Sequence, residues 1–409
     1  MEILWVGGLA LPDRLGNLPY PINNPGPVAA TNVQKNIIDG IEEQFDASLR
    51  IINDYPVDFF PNFRKMFLHR GDWTHNGRSK DINVGFINFP LLRHLSKALT
   101  IRKAVRDWAN KRKGNKENYI IIYTVHTPYL VATHVAKKIL DNVKICLICP
   151  DLPEYMDLDL KEKPFKFFLK KIDRFIMSYY LTIIDYFVLF SEGMGKHLKV
   201  GNRKSIVMEG VINPKDIQQE TVNKQTSEKV ILYTGMTQRK YGIIELLEAF
   251  AEIKDPDIKL WITGDGNARN EIIAATTKDK RIIWFGFIQE REKVLKLQTK
   301  ATILVNMRKP SEDASQYTFP SKVLEYMLSS TPVVSFKIKG IPEEYYDHMF
   351  TLEQEDPSYI AKRLVEIMDI PEEDLKKKGQ SARNFILKNK NYLVQSKKIM
   401  NLLTESTTA

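Results

Sequence analysis

The sequence predicts an α/β protein with two doubly wound, Rossmann-like domains that face each other across a cleft. Three observations support this class. The chain has 409 residues, more than one hydrophobic core ordinarily organises. Short β-branched runs alternate with helix-period segments, and each parallel crossover needs such a connecting helix. One polar stretch, 213–229, has no apolar period and interrupts the alternation.

The composition is that of a folded protein with an anionic partner. Hydrophobic residues make up 43% of the chain and aromatic residues 10%, enough to fill two cores and to exclude a disordered chain. The net charge of +10 favours nucleic acid, an anionic membrane or a phosphorylated substrate as partner. Cys146 and Cys149 are interpreted as small core residues, as in a reducing cytoplasm.

From the sequence we expect neither a leader nor a membrane-spanning segment. It begins with MEILWVGG, which predicts a first strand rather than a charged leader. Its longest apolar candidate, 179–190, has twelve residues and contains Asp185, whereas a span needs about 20 apolar residues. We therefore expect a cytoplasmic protein whose membrane contact, if it has one, is peripheral at the inner face.

The first domain is predicted over residues 1–212. Its helices are expected at 28–45 and 128–142, and residues 54–90 form an irregular insertion. The predicted strands are EILWV (2–6), ASLRII (47–52), YIIIYTV (119–125), VKICLIC (143–149) and YFVLF (186–190).

A linker at 213–228 leads to the second domain, 229–380, and then to a helical tail, 381–409. The strands of this domain are predicted as VILYTG (230–235), KLWITG (259–264), RIIWFGF (281–287), TILVNM (302–307) and PVVSF (332–336). Open parallel sheets bind ligands beyond the carboxyl ends of their strands, so the cleft between two such sheets is the expected site.

The stretch YTFPSKVLEYMLSSTPVVS, 317–335, has the residues of an anion site. A helix is predicted to begin at Pro320, and a helix amino end that follows a parallel strand binds anions. Ser321 adds a hydroxyl, and Lys322 is a cation that the helix dipole disfavours unless an anion arrives. Glu325, one turn later, can accept two hydrogen bonds from a ribose diol. The alternative is a surface helix with solvated charges.

This segment, in the form F-P-S-K-x-x-E-Y-M, resembles the nucleotide-sugar segment of family 4 retaining glycosyltransferases of the GT-B fold. Other segments resemble that family in the same order: DYFVLFSEGMGKHL, YTGMTQRKYGIIELLEAF, LWITGDGNARNEI and IIWFGFIQEREKV. The resemblance covers the whole second domain and is patchier in the first. It implies that the helix segment holds a nucleoside diphosphate and that Glu325 contacts the ribose.

The chain departs from the family at two positions. The family pairs two glutamates, and the first falls at Tyr317. The family also has an arginine after the glycine of its basic loop, but here Met236 follows Gly235. The resemblance therefore moves the diphosphate contact to Arg239 and Lys240, cations on a strand-to-helix loop that can neutralise a leaving group. The alternative is two solvated loop charges.

The resemblance implies three further contacts. Phe287 and Ile288 end the strand whose edge holds the base, although Phe287 could equally be a core residue. His126 ends a strand of the first domain and is predicted to hydrogen-bond the donor sugar or an acceptor hydroxyl. Gly8 follows the first strand, where a glycine lets a substrate approach the backbone. Asp151 is a weaker acceptor-side candidate, and His134 is interpreted as packing.

Two segments of the first domain, 91–116 and 161–180, combine cations with apolar residues. Between Arg93 and Lys116 lie nine Lys or Arg, with only Asp107 against them. Such segments are typical of helices that lie on an anionic membrane, which suits a lipid-linked acceptor. The alternatives are a solvated face over an ordinary core and, last, nucleic-acid binding, which we do not expect because no nucleic-acid module matches.

We therefore predict a glycosyltransferase that uses a nucleotide-diphosphate sugar and a lipid-linked or polysaccharide acceptor, and that retains configuration. No metal and no cofactor are expected. The alternative is a non-catalytic GT-B partner of another glycosyltransferase, because the glutamate at 317 and the arginine at 236 are absent.

Overall fold

The computed structural model describes residues 1–10, 26–90, 92–115, 117–153, 164–216 and 228–404. The chain divides into two compact units. The amino-terminal unit comprises Met1–Phe190, Met194–Val211 and Tyr392–Ala409, and the carboxy-terminal unit comprises Ser191–Gly193 and Ile212–Asn391.

The amino-terminal unit is built on an eight-stranded sheet with the order β10-β9-β8-β7-β1-β2-β5-β4. Its neighbouring strands are parallel except β4 and β5. The strands are β1 Glu2–Gly7, β2 Ser48–Asn53, β3 Phe67–Leu68, β4 Gly71–Trp73, β5 Asp81–Asn83, β6 Phe86–Ile87, β7 Asn118–Tyr123, β8 Val143–Cys149, β9 Tyr186–Leu189 and β10 Lys204–Val207. β3 pairs with β6 in a separate antiparallel ladder.

Helices connect these strands, as the predicted crossovers require. They are α1 Gly26–Gln44, α2 Leu92–Lys111, α3 Thr127–Lys137, α4 Pro164–Leu181 and α5 Gly193–His197. The central strands β7 and β9 are buried along their whole length, and β8 is buried except at Lys144, as expected for a parallel sheet covered on both faces. Cys146 and Cys149 are free and buried in β8, as predicted.

The insertion 54–90 is more ordered than its sequence predicts. It holds four short strands, two of which, β4 and β5, extend the main sheet. Asp81 in β5 is fully buried and accepts a hydrogen bond from the Ile51 amide at 2.8 Å. A small apolar cluster lies beneath the insertion and includes Tyr55, Phe63 and Phe86. Strands of two or three residues carry too little period for sequence analysis to detect.

A buried histidine fastens this insertion to α1. His75 Nδ1 lies 2.7 Å from the Asp81 carboxylate, and its Nε2 lies 3.1 Å from that of Glu42. Burial alone lowers the pKa of His75, but the hydrogen bonds to Asp81 and Glu42 outweigh it and raise the pKa to about 9. The imidazolium form is therefore the one that the folded protein stabilises.

The contribution of His75 to stability is expected to fall as the pH rises from 6.5 to 9. The folded-state pKa of His75 lies above its unfolded value, so this contribution is complete below pH 6.5 and is lost through pH 9. Lys322, whose pKa burial lowers, changes stability in the opposite direction over the same range, so the test is the difference between the wild type and His75→Gln. In chemical unfolding this difference should shrink by about 1–2 kcal/mol across the range, after allowance for solvent screening. A difference that does not change with pH would contradict the assignment.

The carboxy-terminal unit has a six-stranded parallel sheet with the order β13-β12-β11-β14-β15-β16. The strands are β11 Lys229–Thr234, β12 Ile258–Thr263, β13 Ile282–Trp284, β14 Ile303–Asn306, β15 Val333–Phe336 and β16 Phe350–Leu352. The helices are α6 Ile243–Glu252, α7 Arg269–Lys278, α8 Arg291–Lys300, α9 Lys322–Leu328, α10 Pro357–Met368 and α11 Glu372–Asn389. Both units are Rossmann-like, so the predicted α/β class of two doubly wound domains is confirmed.

The predicted tail, 381–409, divides between the two units. α11 ends within the carboxy-terminal unit, whereas the final helix, α12 Tyr392–Thr404, belongs to the amino-terminal unit. There Ser396 Oγ donates to the Ile37 carbonyl of α1 at 3.1 Å. Residues 217–227 of the predicted linker and residues 405–409 of the tail lie outside the described residues.

Candidate functional site

The carboxyl end of β11 leads into a loop whose conformation requires glycine. Gly235 has φ 109°, and a Cβ added there would have no atom within 4 Å. Gly264, after β12, has φ 126°, and its Cβ would lie 1.8 Å from the Gly235 carbonyl oxygen. The two loops therefore pack backbone against backbone. The predicted site residue Gly235 leaves its own backbone open to an approaching group.

Lys322 is a half-buried cation beside this loop. Its Nζ lies 4.0 Å from the centroid of the Tyr233 ring and 6.0 Å from that of Tyr326. No acidic residue in the described part of the chain pairs with it. Burial, and then the positive charge of Arg308, lower the pKa of Lys322 to about 7. An anion bound here would favour the ammonium form.

Arg308, two residues after β14, is a second cation without a carboxylate partner among the described residues, and sequence analysis missed it. Its guanidinium carbon lies 4.8 Å from the centroid of the Tyr241 ring. Its Nη1 donates to the hydroxyl of Thr318 and, at 3.4 Å, to the Thr318 carbonyl. The neighbouring Lys309 differs, because it pairs with Glu245 at 2.5 Å. The sequence feature that could have identified Arg308 as a site residue is its position directly after a predicted buried strand.

The two predicted loop cations behave differently. Lys240 Nζ lies 5.6 Å from the centroid of the Tyr241 ring, the ring that Arg308 also contacts. Arg239 is instead 58% exposed and forms an ion pair with Glu271 of α7. Lys240 and Arg308 therefore contact the same ring and Arg308 acts electrostatically on Lys322, whereas Glu271 compensates the charge of Arg239.

A tyrosine joins the predicted helix segment to the end of β11. The Tyr326 hydroxyl accepts from the Thr234 amide at 2.8 Å and lies 3.2 Å from the Thr234 carbonyl. The helix begins at Lys322 rather than at Pro320, and its seven residues give only a short dipole. Ser321 is exposed and its side chain makes no capping hydrogen bond. An anion here would depend mainly on the cations rather than on the helix end.

Glu325 lies one turn after Lys322 and is held in place by a buried amide. Gln298 is fully buried, and its Nε2 donates to Glu325 Oε1 at 2.6 Å. Glu325 Oε2 lies 3.7 Å from Nε of Arg291, and the carboxylate side chain is 32% exposed. Glu325 forms no ion pair with Lys322, and its side-chain partners among the described residues are Gln298 and Arg291. It can accept further hydrogen bonds from a diol.

An exposed aromatic segment follows β13. Phe287 is 61% exposed, so the alternative that it is a core residue is wrong. Ile288 is half-buried. The Gly286 carbonyl between the two phenylalanines accepts from the Gly264 amide at 2.8 Å, which joins this segment to the glycine loops. Backbone groups and an aromatic face are therefore available to a planar ligand.

In the amino-terminal unit, His126 lies at the carboxyl end of β7, in the position before α3, and its side chain makes no capping hydrogen bond. Its ring packs edge-on against Tyr129, with centroids 4.6 Å apart. Burial, and then Lys97, His94 and Arg93, hold the pKa of His126 well below its usual value. The neutral imidazole can donate or accept a hydrogen bond.

A buried ion pair lies beside Gly8. Asp54 Oδ2 accepts from Lys97 at 2.7 Å and from the Tyr129 hydroxyl at 3.1 Å. A Cβ added at Gly8 would lie 3.3 Å from the Asp54 carbonyl oxygen and 3.4 Å from the Tyr129 hydroxyl. The protein itself therefore approaches the backbone closely at Gly8, and the predicted substrate contact at this residue stays a prediction.

A comparison with known families gives a match in the carboxy-terminal unit. Residues 228–369 are similar to the family described as "Glycosyl transferases group 1". No curated protein matches the chain.

Solved structures match over nearly the whole chain at low identity. The α,α-trehalose 6-phosphate synthase of Burkholderia multivorans has a TM-score of 0.67 at 10% identity, covering 99% of this chain and 97% of that one. Anabaena HepE in complex with UDP has a TM-score of 0.61 at 14% identity, covering 99% and 100%. The lipopolysaccharide outer core galactosyltransferase WaaB has a TM-score of 0.59 at 15% identity, covering 99% and 100%.

Proposed function

We propose that this chain moves a glycosyl unit from a nucleoside diphosphate sugar to an acceptor. Its GT-B fold and the similarity of residues 228–369 to the group 1 glycosyl transferases support this proposal. We propose further that configuration is retained and that no metal takes part. Lys322, Arg308 and Lys240 bind the diphosphate, Glu325 binds the ribose, and the Phe287–Ile288 segment receives the base.

One observation carries this proposal: Lys322 and Arg308 lie together without a carboxylate from any described residue. A buried cation costs free energy unless an anion compensates it. Most other lysines at comparable depth here have such a partner; Lys97, for example, pairs with Asp54 at 2.7 Å. A diphosphate supplies the missing negative charge at Lys322.

The same cations stabilise the leaving group in the proposed reaction. The bond from the anomeric carbon to the diphosphate oxygen breaks, and its electron pair goes to the diphosphate. The acceptor hydroxyl forms the new bond on the same face and gives its proton to the departing phosphate oxygen. Negative charge thus develops beside Lys322 and Arg308, where preorganised cations lower the barrier most.

For the donor and the acceptor, the proposal draws on the similar structures. HepE is described in complex with UDP, so UDP is the first diphosphate to test. WaaB is described as acting on the lipopolysaccharide outer core. We propose a lipid-linked glycan or polysaccharide intermediate as acceptor here, bound by the amino-terminal unit with His126 as a hydrogen-bonding group.

Loss of Glu325 is the sharpest test of the enzymatic proposal. Purified protein incubated with a panel of nucleoside diphosphate sugars should hydrolyse one of them slowly and release the diphosphate. Glu325→Ala should lower kcat/KM for that donor about 100-fold, because a charged hydrogen-bonding partner of the ribose is lost. Glu248→Ala, which removes an exposed carboxylate on α6, is the matched control and should leave the rate unchanged.

Two outcomes would overturn parts of this proposal. If diphosphates raise the melting temperature but no donor is turned over with any acceptor, the chain is a non-catalytic partner that kept its nucleotide site. If neither binding nor turnover occurs with any member of the panel, the donor site itself is wrong.

A further inference from the structure

The most unusual surface of the amino-terminal unit is an apolar stripe on α4. Phe168, Ile172, Phe175 and Tyr179 recur at intervals of four, three and four residues, so they lie on one helix face. All four are exposed, Phe175 to 76%. Single exposed apolar residues are ordinary, but a contiguous run of large ones marks an interaction surface.

A second exposed apolar stripe lies on α2. Leu92, Leu95 and Leu99 are 48%, 60% and 58% exposed. Val105 and Trp108, further along the same helix, are buried in the core. The apolar residues of α2 therefore form two sets, one that faces the core and one that faces outward. Sequence analysis did not distinguish these two sets.

The two stripes are neighbours. α3 packs against both α2 and α4. Asp173 of α4 acts electrostatically on His94 of α2, which directly precedes Leu95. Phe59 extends the surface, since it is 43% exposed and its ring centroid lies 6.3 Å from that of His94. We call the combined surface of these two helices the apolar-basic face.

Exposed cations border both stripes. Lys171 and Arg174 alternate with the apolar residues of α4. On α2 the outward side changes from leucine to Lys103 and Arg106 after Leu99. Aromatic and aliphatic residues at the centre with cations at the margin match an anionic lipid surface, where rings enter the headgroup region and cations meet phosphates.

We propose that the apolar-basic face docks on a bilayer that contains anionic lipid. The positive charge of this face favours an anionic bilayer over a second copy of the chain as its partner. In a symmetric dimer this face would meet an identical face that also carries an excess of cations, which opposes association, whereas an anionic bilayer complements that charge. Within the described residues, no helix is long and apolar enough to cross a membrane. Residues 91, 116 and 161–163 of the segments predicted from the sequence lie outside the described residues.

Vesicle sedimentation of the full chain tests this inference without any turnover. The protein should pellet with vesicles of phosphatidylcholine and phosphatidylglycerol and bind pure phosphatidylcholine at least tenfold more weakly. Phe175→Asp and Leu95→Asp should each reduce binding to the anionic vesicles at least tenfold, and Lys171→Glu about fivefold. Ile273→Asp and Lys278→Glu, on exposed positions of α7, are the matched controls and should bind like the wild type.

The melting temperature and its increase on addition of UDP are measured as independent readouts of folding and of the donor site. Each variant should keep its melting temperature and its stabilisation by UDP, so failure of the proposed donor site would appear there and not in the vesicle assay. Equal binding to neutral and anionic vesicles, or full binding by Phe175→Asp and Leu95→Asp, would overturn the proposal. So would a wild-type dimer in sedimentation velocity that these two substitutions dissociate.

Discussion

Lys322→Met is expected to weaken the binding of UDP about 100-fold while leaving the free protein as stable as before, or more so. The ammonium is the buried charge nearest the proposed diphosphate, and loss of a charged hydrogen bond of this kind costs about 2–3 kcal/mol. In the free protein the same ammonium lies against Tyr233 with no carboxylate partner among the described residues. Methionine of similar length fills the space without that desolvation cost.

Two measurements on one variant separate binding from folding. Thermal unfolding without ligand should give a melting temperature equal to or above that of the wild type. The shift that saturating UDP produces should almost vanish. Lys339→Met, which replaces an exposed lysine of the same unit, should leave both values unchanged. A Lys322→Met protein that unfolds earlier yet binds UDP normally would show that Lys322 is structural.

Arg308→Ala is expected to lower kcat/KM for the donor about 100-fold, chiefly through kcat. Arg308 is the second uncompensated cation of the site, and one donor to a developing charge is worth about 100-fold or more. In the family that the sequence resembles, an arginine follows the loop glycine, where this chain has Met236. We infer that Arg308 supplies that charge from β14 instead.

A rescue experiment tests this replacement. Met236 is 49% exposed on the loop after Gly235, so Met236→Arg can be introduced without disturbing the core. The double variant Arg308→Ala/Met236→Arg should have a kcat/KM for the donor at least tenfold higher than that of Arg308→Ala alone. Arg363→Ala, on α10, is the control and should have no effect. Activity of Arg308→Ala within twofold of the wild type would remove Arg308 from the mechanism.

The sequence predicted the large elements of the fold because they carry strong patterns. β8 was predicted at its observed bounds. Six of its seven residues are apolar and Lys144 is its one charged residue, which is the pattern of a buried strand. β16 and the strands of the insertion were not predicted, because two or three residues provide no period. The predicted start of α9 was two residues early, since Pro320 is compatible with a turn as well as with a first helical position.

The site was predicted in part, for a physical reason. Lys322 and Glu325 stand out locally, because a cation and a carboxylate one turn apart are unusual at the start of an apolar helix. Arg308 and Arg239 could not be sorted from sequence, since what distinguishes them is their partners. Glu271 of α7 neutralises Arg239, whereas Arg308 packs on Tyr241 and donates to Thr318, neither of which carries a negative charge. Such pairings arise between elements distant in the chain.

The central claim is that a diphosphate binds against Lys322, and the protons taken up on binding test it most directly. With a pKa of about 7 in the free protein, Lys322 is mostly neutral at pH 8. A bound diphosphate would raise that pKa, and binding would then take up about 0.9 proton at pH 8. Titration calorimetry with UDP in two buffers of different ionisation enthalpy measures this number. The account predicts an uptake near one proton for the wild type and none for Lys322→Met. Binding with no uptake, or with equal uptake in both proteins, would contradict it.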